Sequence, residues 1–332
     1  MSPSSFDHLK RLLAIGTAYR GRRTILPYFP SRLWVEATSH CNLRCPLCPN
    51  RDLAPEQRGF MSFDLFKKVV DQAAGKVHDL YLFHRGEPLL HPQLPEMIAY
   101  ARERGIPARL HTNATLLTSA VAARLLEAGP ALVSFSFDSV DEETYNRRRP
   151  PASFIETLSR IEQFLILKSR GKPNKMTTVL QIMVPPKAGP KAGPEGPALR
   201  NLSARLKTLG LDRVVVRRPH NWGGLIPTGA SSDHQLRKAG SCTFPWYALV
   251  VYWDGSVGPC PQDFQGRMVV GRADADALTG IWNGPELIDL RERLARKDYR
   301  ELTVCSDCDR PRRRQVAGVP LEYAWRFFKD QV

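Results

Sequence analysis

Between residues 32 and 217 the apolar positions keep changing period. Short continuous or alternating apolar runs take turns with stretches in which apolar residues return every three to four positions, the mark of strands interleaved with helices. The pattern predicts strands over 33–37, 79–83, 108–112, 132–137, 178–183 and 213–216. Helices are predicted over 63–74, 94–104, from the cap Thr118 to the stop at Gly129-Pro130, over 154–169, and over 199–209 before Gly210. Ser62 is a suitable N-cap for the first, whose Leu65, Phe66, Val69 and Val70 share one face. Strands alternating with helices at this spacing predict a parallel sheet. Six units rather than eight predict an α/β fold of partial, TIM-like (β/α)6 barrel type.

After about residue 236 the pattern becomes antiparallel. Residues 249–253, the turn Asp254-Gly255 and Ser256 onward predict a β-hairpin, since Asp-Gly supplies the positive φ of a two-residue turn. A helix over 286–296 follows, with Pro285 suited to its first position. The expected organisation is a basic amphipathic extension over 1–31, the barrel over 32–235, and a small α+β domain over 236–332 with an aromatic helix at 321–328. In the extension, Phe6, Leu9, Leu12 and Leu13 form the apolar stripe. Residues 184–197 repeat Lys-Ala-Gly-Pro and hold too much Pro and Gly for a helix or ladder, so a solvated loop is expected there.

Parallel βα folds gather chemistry at the carboxyl ends of their strands. Cys41, Cys45 and Cys48 follow the first predicted strand, Gly86-Glu87-Pro88 the second and Asn113 the third. Ser136 and Asp138 close the fourth, and Gln181 and Met183 the fifth. The seven cysteines divide by spacing into C-x3-C-x2-C at 41, 45 and 48 and C-x17-C-x44-C-x2-C at 242, 260, 305 and 308, with none left over. A cubane iron–sulfur cluster has four iron corners, so three thiolates leave one open, whereas four close a cluster or a zinc ion. Zinc completed by His40 is the alternative at the first set, and a four-thiolate zinc site at the second.

Composition narrows the class. The chain has 42% hydrophobic and 24% charged residues, and no run approaches the roughly 18 apolar residues of a membrane span. No signal-peptide core opens the chain, so a cytoplasmic, reducing setting is expected, with cysteines as metal ligands rather than disulfides. The net charge of +15 is concentrated in residues 10–23, Arg147–Arg149, Arg217–Arg218, and Arg310 with Arg312–Arg314. An acidic substrate, an acidic redox donor or an anionic membrane surface would each suit it. Nucleic acid is disfavoured, because no recognisable binding motif accompanies the charge. For the membrane, only the basic N-terminal helix speaks.

C-x3-C-x2-C after a short apolar strand, with Leu47 before the third cysteine, resembles the radical S-adenosylmethionine (SAM) enzymes. The resemblance continues through Arg85-Gly86-Glu87-Pro88-Leu89, Thr112-Asn113-Ala114-Thr115 and Ser134-Phe135-Ser136-Phe137-Asp138-Ser139. It implies that a [4Fe–4S] cluster on Cys41, Cys45 and Cys48 binds SAM through its open iron and cleaves it to a 5′-deoxyadenosyl radical. It further implies that Gly86, Glu87, Pro88, Asn113, Ser136, Asp138, Gln181 and Met183 contact SAM. The second cysteine set is similar to the SPASM/twitch-type auxiliary module in its short form. That form holds one further [4Fe–4S] cluster on Cys242, Cys260, Cys305 and Cys308, as in single-cluster dehydrogenases of the butirosin-pathway aminocyclitol kind.

No spare cysteine remains to return a hydrogen atom to a substrate radical, which favours net oxidation with the auxiliary cluster as electron acceptor. The expected substrate is a small polar metabolite such as a sugar or aminocyclitol, and the expected reductant a flavodoxin- or ferredoxin-type donor. His84, His111 and His220 lie at strand ends as candidate bases, His220 first. Arg217, Arg218 and Trp222, with Asn221, suit an anionic or sugar-like substrate. Two alternatives stand beside this reading: a ribosomal-peptide maturase, disfavoured because no winged-helix peptide-binding domain precedes the barrel, and a zinc-holding basic nucleic-acid-binding protein.

Overall fold

The computed structural model of the chain describes residues 5–171, 175–183, 196–227, 240–316 and 318–320. Six parallel strands form the barrel wall: β1 (Arg32–Val35), β2 (Asp79–Tyr81), β3 (Ala108–Thr112), β4 (Leu132–Ser136), β5 (Thr177–Met183) and β6 (Arg213–Arg217). Helices α2 (Phe63–Ala73), α3 (Leu94–Glu103), α4 (Ser119–Ala128), α6 (Phe154–Arg170) and α7 (Pro197–Thr208) connect them. Their ends follow the local chemistry. The Ser62 hydroxyl accepts from Leu65 N at 3.2 Å, the Thr118 hydroxyl from Val121 N at 3.3 Å, and Gly129 closes α4 at φ 72°. A short charged helix, α5 (Glu142–Arg148), was not expected. Only Tyr145 of it is buried, so it has no apolar period to read, although Asp141 caps it.

The alternation along each strand sorts the two faces. Leu33, Val35, Leu80, Leu110, Val133, Phe135 and Leu180 are buried against the helices with Phe66, Val70, Met97, Ile98, Leu125 and Phe164. The opposite face lines the barrel, where Leu132, Val179 and Val215 of β4, β5 and β6 form a separate small apolar cluster.

The hairpin forms, with β7 (Ala248–Val251) antiparallel to β8 (Ser256–Gly258), and β8 is joined by β9 (Gly271–Arg272). It is not set apart from the barrel. β7 pairs in parallel with β1, from Arg32 opposite Ala248 to Val35 opposite Val251, giving one nine-stranded sheet in the order β6-β5-β4-β3-β2-β1-β7-β8-β9. All four residues of β7 are buried, as suits a strand inside a parallel layer rather than at a half-wet edge. Two helices, α8 (Leu278–Trp282) and α9 (Pro285–Arg296), and the small pair β10 (Gln315–Val316) and β11 (Val319–Pro320) complete this part.

The helix α1 (Ser5–Arg20) packs on the chain itself by only part of the expected stripe, with Leu12 half-buried and the side chain of Phe6 outside the described residues. Leu9 and Leu13 are 52% and 62% exposed, while His8 and Ala18 are buried. The barrel floor it covers is polar: Arg32 is bidentate to Asp79 at 2.6 and 2.7 Å and Arg109 lies 3.1 Å from the same carboxylate. His8 stacks on His78 at 3.6 Å beside that trio. A polar floor selects a histidine rather than leucines to meet it. The residue 184–195 part of the expected loop and the expected helix at 321–328 lie outside the described residues.

Candidate metal centres and the barrel mouth

The loop leaving β1 carries Cys41, Cys45 and Cys48, all free thiols. It is shaped by residues other than the cysteines. Asn50 donates to Ser39 O at 2.7 Å and to Arg85 O at 2.8 Å, and Arg58 donates to Asn50 O at 2.6 Å. Arg44 N donates to Pro150 O at 2.8 Å. Burial pushes the Cys41 thiol up to about 11 and the Cys48 thiol up to about 12, and it also raises Cys45, against the pull of Arg149. Cys41 feels the charge of Cys45, and Cys48 that of both Cys45 and Cys41, so the three lie near one another. Such thiols release protons on binding a metal centre. Three thiols on one loop suit a four-iron cluster with one iron left open.

Around this loop the strand ends interlock. Glu87 N donates to His40 O at 2.8 Å. The buried Glu87 carboxylate accepts from Asn113 N at 2.6 Å, the Thr112 hydroxyl at 2.7 Å and Leu89 N at 3.1 Å, while burial raises its pKa. Pro88 is buried at the start of the turn that follows. Asn113 donates to Asn42 at 2.9 Å, and Asn42 donates to Thr115 at 2.8 Å, tying the cysteine loop to the end of β3. At the end of β4, Phe137 N donates to Gln181 O at 2.9 Å, and the Gln181 amide reaches the Met183 sulfur at 3.8 Å. Ser136 is half-buried beside them. Asp138, at φ 57°, pairs with Arg149 at 2.9 Å, and the charge of Arg149 reaches all three thiols. Sequence reasoning missed Asn42, Asn50 and Arg149. An Asx residue inside or just after the cysteine run was the available signal for the first two.

On the barrel's inner face Phe83 stacks on His111 at 4.2 Å, and Trp34 on Tyr81 at 5.0 Å. Burial, then the charges of Arg217 and Arg109, lower His111 to about 3, so its imidazole is neutral. His84 bonds to Pro261 O at 2.9 Å and lies 3.8 Å from Glu36, whose carboxylate is bidentate to Arg85. His220 is lowered well below the usual range by burial, then by Arg313, Arg310 and Arg217.

Cys242, Cys260, Cys305 and Cys308 line one cavity with Pro245, Met268, Leu290, Leu294, Tyr299 and Arg310. Burial pushes the Cys260 thiol far up, and the other three thiols push it further. Four converging thiols in a largely apolar chamber fit a closed four-thiolate centre. Burial raises Cys308 to about 12, opposed by the backbone N–H and the charge of Arg310.

The segment after β6 bridges to this site. Asn221 donates to Asp307 O at 2.7 Å and accepts from Asp309 N at 3.1 Å. A side chain at Gly223 would meet Val304 at 2.5 Å, and one at Gly224 would meet Asp307 at 2.6 Å. Trp222 packs edge-on against Phe264 at 5.1 Å, while Arg218 is exposed and Arg217 half-buried. Asn221→Ala removes one buried and one part-buried hydrogen bond to the backbone at once, at a cost of about 1–3 kcal/mol. We expect the variant to load fewer than about eight irons per chain and to unfold at a lower temperature; iron analysis and thermal denaturation check both.

Among the described residues no helix is long and apolar enough to cross a membrane. Residues 35–188 match the radical SAM superfamily model and residues 242–309 the SPASM iron–sulfur cluster-binding domain. The chain is 39% identical, over 69% of its length and 70% of the relative's, to the tungsten-containing aldehyde ferredoxin oxidoreductase cofactor-modifying protein of Pyrococcus furiosus. It is 28% identical to the AdoMet-dependent heme synthase of Methanosarcina barkeri over 60% of this chain and 51% of that protein. BtrN in complex with AdoMet and 2-DOIA superposes with a TM-score of 0.56 at 20% identity, over 84% of this chain and 93% of BtrN. Streptococcus suis SuiB bound to the precursor peptide SuiA gives 0.62 at 14% identity, over 88% of this chain and 73% of SuiB; both likenesses concern the fold. The cofactors of these two domains are SAM, its [4Fe–4S] cluster and an auxiliary iron–sulfur cluster, and the zinc alternative gives way to them. The protein is a member of the radical SAM superfamily with a SPASM domain.

Proposed function

We propose that Cys41, Cys45 and Cys48 hold the SAM-binding cluster, that Cys242, Cys260, Cys305 and Cys308 hold the auxiliary cluster, and that the chain performs a net oxidation of a small polar metabolite such as a sugar or aminocyclitol. The carrying observation is that all seven cysteines lie in these two sets, so no thiol remains to return a hydrogen atom. When bound, SAM with its cluster supplies hydrogen-atom abstraction, and the auxiliary cluster supplies a one-electron acceptor.

The chain's own residues do the positioning. Glu87 holds the ends of β2 and β3 together, Asn113 and Asn42 fix the cysteine loop, and Arg149 with Asp138 brings a cation to its edge. Gly86, Pro88, Ser136, Gln181 and Met183 complete the SAM-facing rim, and the face of the Phe83–His111 pair offers a surface for a ring. Arg217, Arg218 and Trp222 lie toward the substrate in this reading, while burial and the charges of Arg313, Arg310 and Arg217 disfavour a protonated His220 and so count against it as the proton acceptor. A reducing cytoplasm and a flavodoxin- or ferredoxin-type donor belong to the same proposal, with free cysteines throughout.

A peptide substrate is the second reading, favoured by 35% identity over 119 residues to the PqqA peptide cyclase of Granulibacter bethesdensis. The discriminating experiment incubates the reconstituted enzyme with SAM, dithionite and a panel of sugars, aminocyclitols and peptides in deuterated buffer. Oxidation predicts a ketone product, one 5′-deoxyadenosine per turnover and no solvent deuterium on carbon. The Cys305→Ala/Cys308→Ala variant is expected to cleave SAM but form no ketone. Deuterium fixed at carbon, or turnover with peptides alone, would reject the proposal.

A further inference from the structure

The wall of the cavity formed by the second cysteine set carries a buried cation. Arg310 is 7% exposed and lines the same cavity as the four thiols. Its guanidinium lies over the ring of Phe244 at 4.0 Å, and Phe244, itself buried, follows Cys242 by two residues. Other charged groups follow Cys260 and Cys308 in the chain. The Asp309 carboxylate faces Arg313, at 2.5 and 3.1 Å, and Arg312 donates to the carbonyls of Cys308 and Ser306 at 2.7 and 2.5 Å. Asp263 accepts from Arg267 N and Met268 N at 3.0 and 2.7 Å. Arg310 thus lies against an aromatic face at the wall of the thiol chamber.

We propose that Arg310 acts on the reaction through the auxiliary cluster, its permanent buried charge raising that cluster's reduction potential. Four thiolates around a four-iron core leave a net negative centre that gains one more negative charge on reduction, so a nearby cation stabilises the reduced form more than the oxidised one. An arginine keeps its charge in a desolvated chamber where a lysine is more readily neutralised, and the low local dielectric makes its field long-reaching. The inference rests on the assignment of the auxiliary cluster to Cys242, Cys260, Cys305 and Cys308, and it tunes that cluster for accepting an electron from substrate.

The test is an anaerobic redox titration of the full-length holoenzyme and its Arg310→Gln, Arg310→Met and Arg310→Lys variants. Electron paramagnetic resonance follows the reduction, with and without SAM so that the SAM-sensitive signal is separated from the auxiliary one. With both clusters loaded, the two neutral variants are expected to shift the oxidised-to-reduced ratio of the auxiliary cluster about tenfold toward oxidised at the wild-type midpoint, equivalent to about 59 mV for one electron. The lysine variant is expected to lie between wild type and the two neutral variants, since a buried ammonium is more readily neutralised than a guanidinium. An unchanged midpoint in the neutral variants, or a lysine variant displaced further than they are, overturns the proposal. If the neutral variants fail to load, assembly with lysine supports the charge, whereas failure with lysine as well shows a structural role and overturns it. The readout needs no substrate. A shifted potential without substrate oxidation would reject the oxidation reading alone, and oxidation with an unshifted potential would reject this inference alone.

Discussion

Replacing Cys41, Cys45 and Cys48 together by alanine is expected to abolish 5′-deoxyadenosine formation and to halve the iron bound per reconstituted chain, from about eight to about four. The first effect follows from ligand loss, since without these thiolates nothing in the loop replaces three sulfur donors. The second follows from separation in the fold. The first set sits on the loop after β1, while the second is carried by the segments around β7, β8 and α9. The variant should remain folded because the loop's shape is held elsewhere: Asn50 bonds Ser39 and Arg85, Gly59 N bonds the Ser39 hydroxyl at 2.9 Å, and Met61 N bonds Ala37 O at 2.9 Å. Retained SAM cleavage would remove these cysteines from the reaction. Loss of all iron would show that the two centres assemble only together.

Some of the molecule was readable in its sequence. The six barrel strands and most of their helices were, because burial on one face imposes a period and the ends are marked by residues such as Ser62, Thr118 and Gly129. The strand-end placement of Gly86, Asn113, Asp138 and Gln181 followed from that. Pairing of β7 with β1 was not readable, since the partners lie more than two hundred positions apart and a buried apolar run fits a hairpin as well as a parallel layer. The α1 stripe misled for a physical reason: amphipathicity says which face is apolar, not whether the surface it meets is. The scaffolding residues Asn42, Asn50, Arg149 and Arg310 were also hidden. Their roles depend on partners brought together only by the fold, such as Arg85 for Asn50 and Phe244 for Arg310. Glu87 was legible as a site residue, but the engagement of its carboxylate by Leu89, Thr112 and Asn113 was not.

Gly86→Ala is expected to reduce SAM cleavage by roughly a hundredfold or more while leaving the auxiliary centre loaded. A methyl group at Gly86 would overlap the carbonyl oxygens of Thr38 and His40 and stand 2.9 Å from the carbonyl carbon of Ser39. These are backbone atoms, so no rotamer change relieves the clash. Either the turn after β2 or the segment entering the cysteine loop must move. His40 also accepts the Glu87 N–H at 2.8 Å and immediately precedes Cys41, so displacement is transmitted to a cluster ligand by one peptide unit. A misplacement of about 1 Å at a reacting centre typically costs about a hundredfold in rate, and overpacking of this kind costs about 1–3 kcal/mol of stability. Gly16→Ala is the matching control. It lies inside α1 with nothing within 4 Å of the added methyl, so it should stabilise the helix by up to about 1 kcal/mol and leave cleavage unchanged. Measuring 5′-deoxyadenosine yield, iron per chain and the unfolding midpoint for both separates the outcomes. Wild-type cleavage by Gly86→Ala would mean that contact between the Gly86-Glu87-Pro88 turn and the cysteine loop does not set the geometry of the SAM-binding cluster.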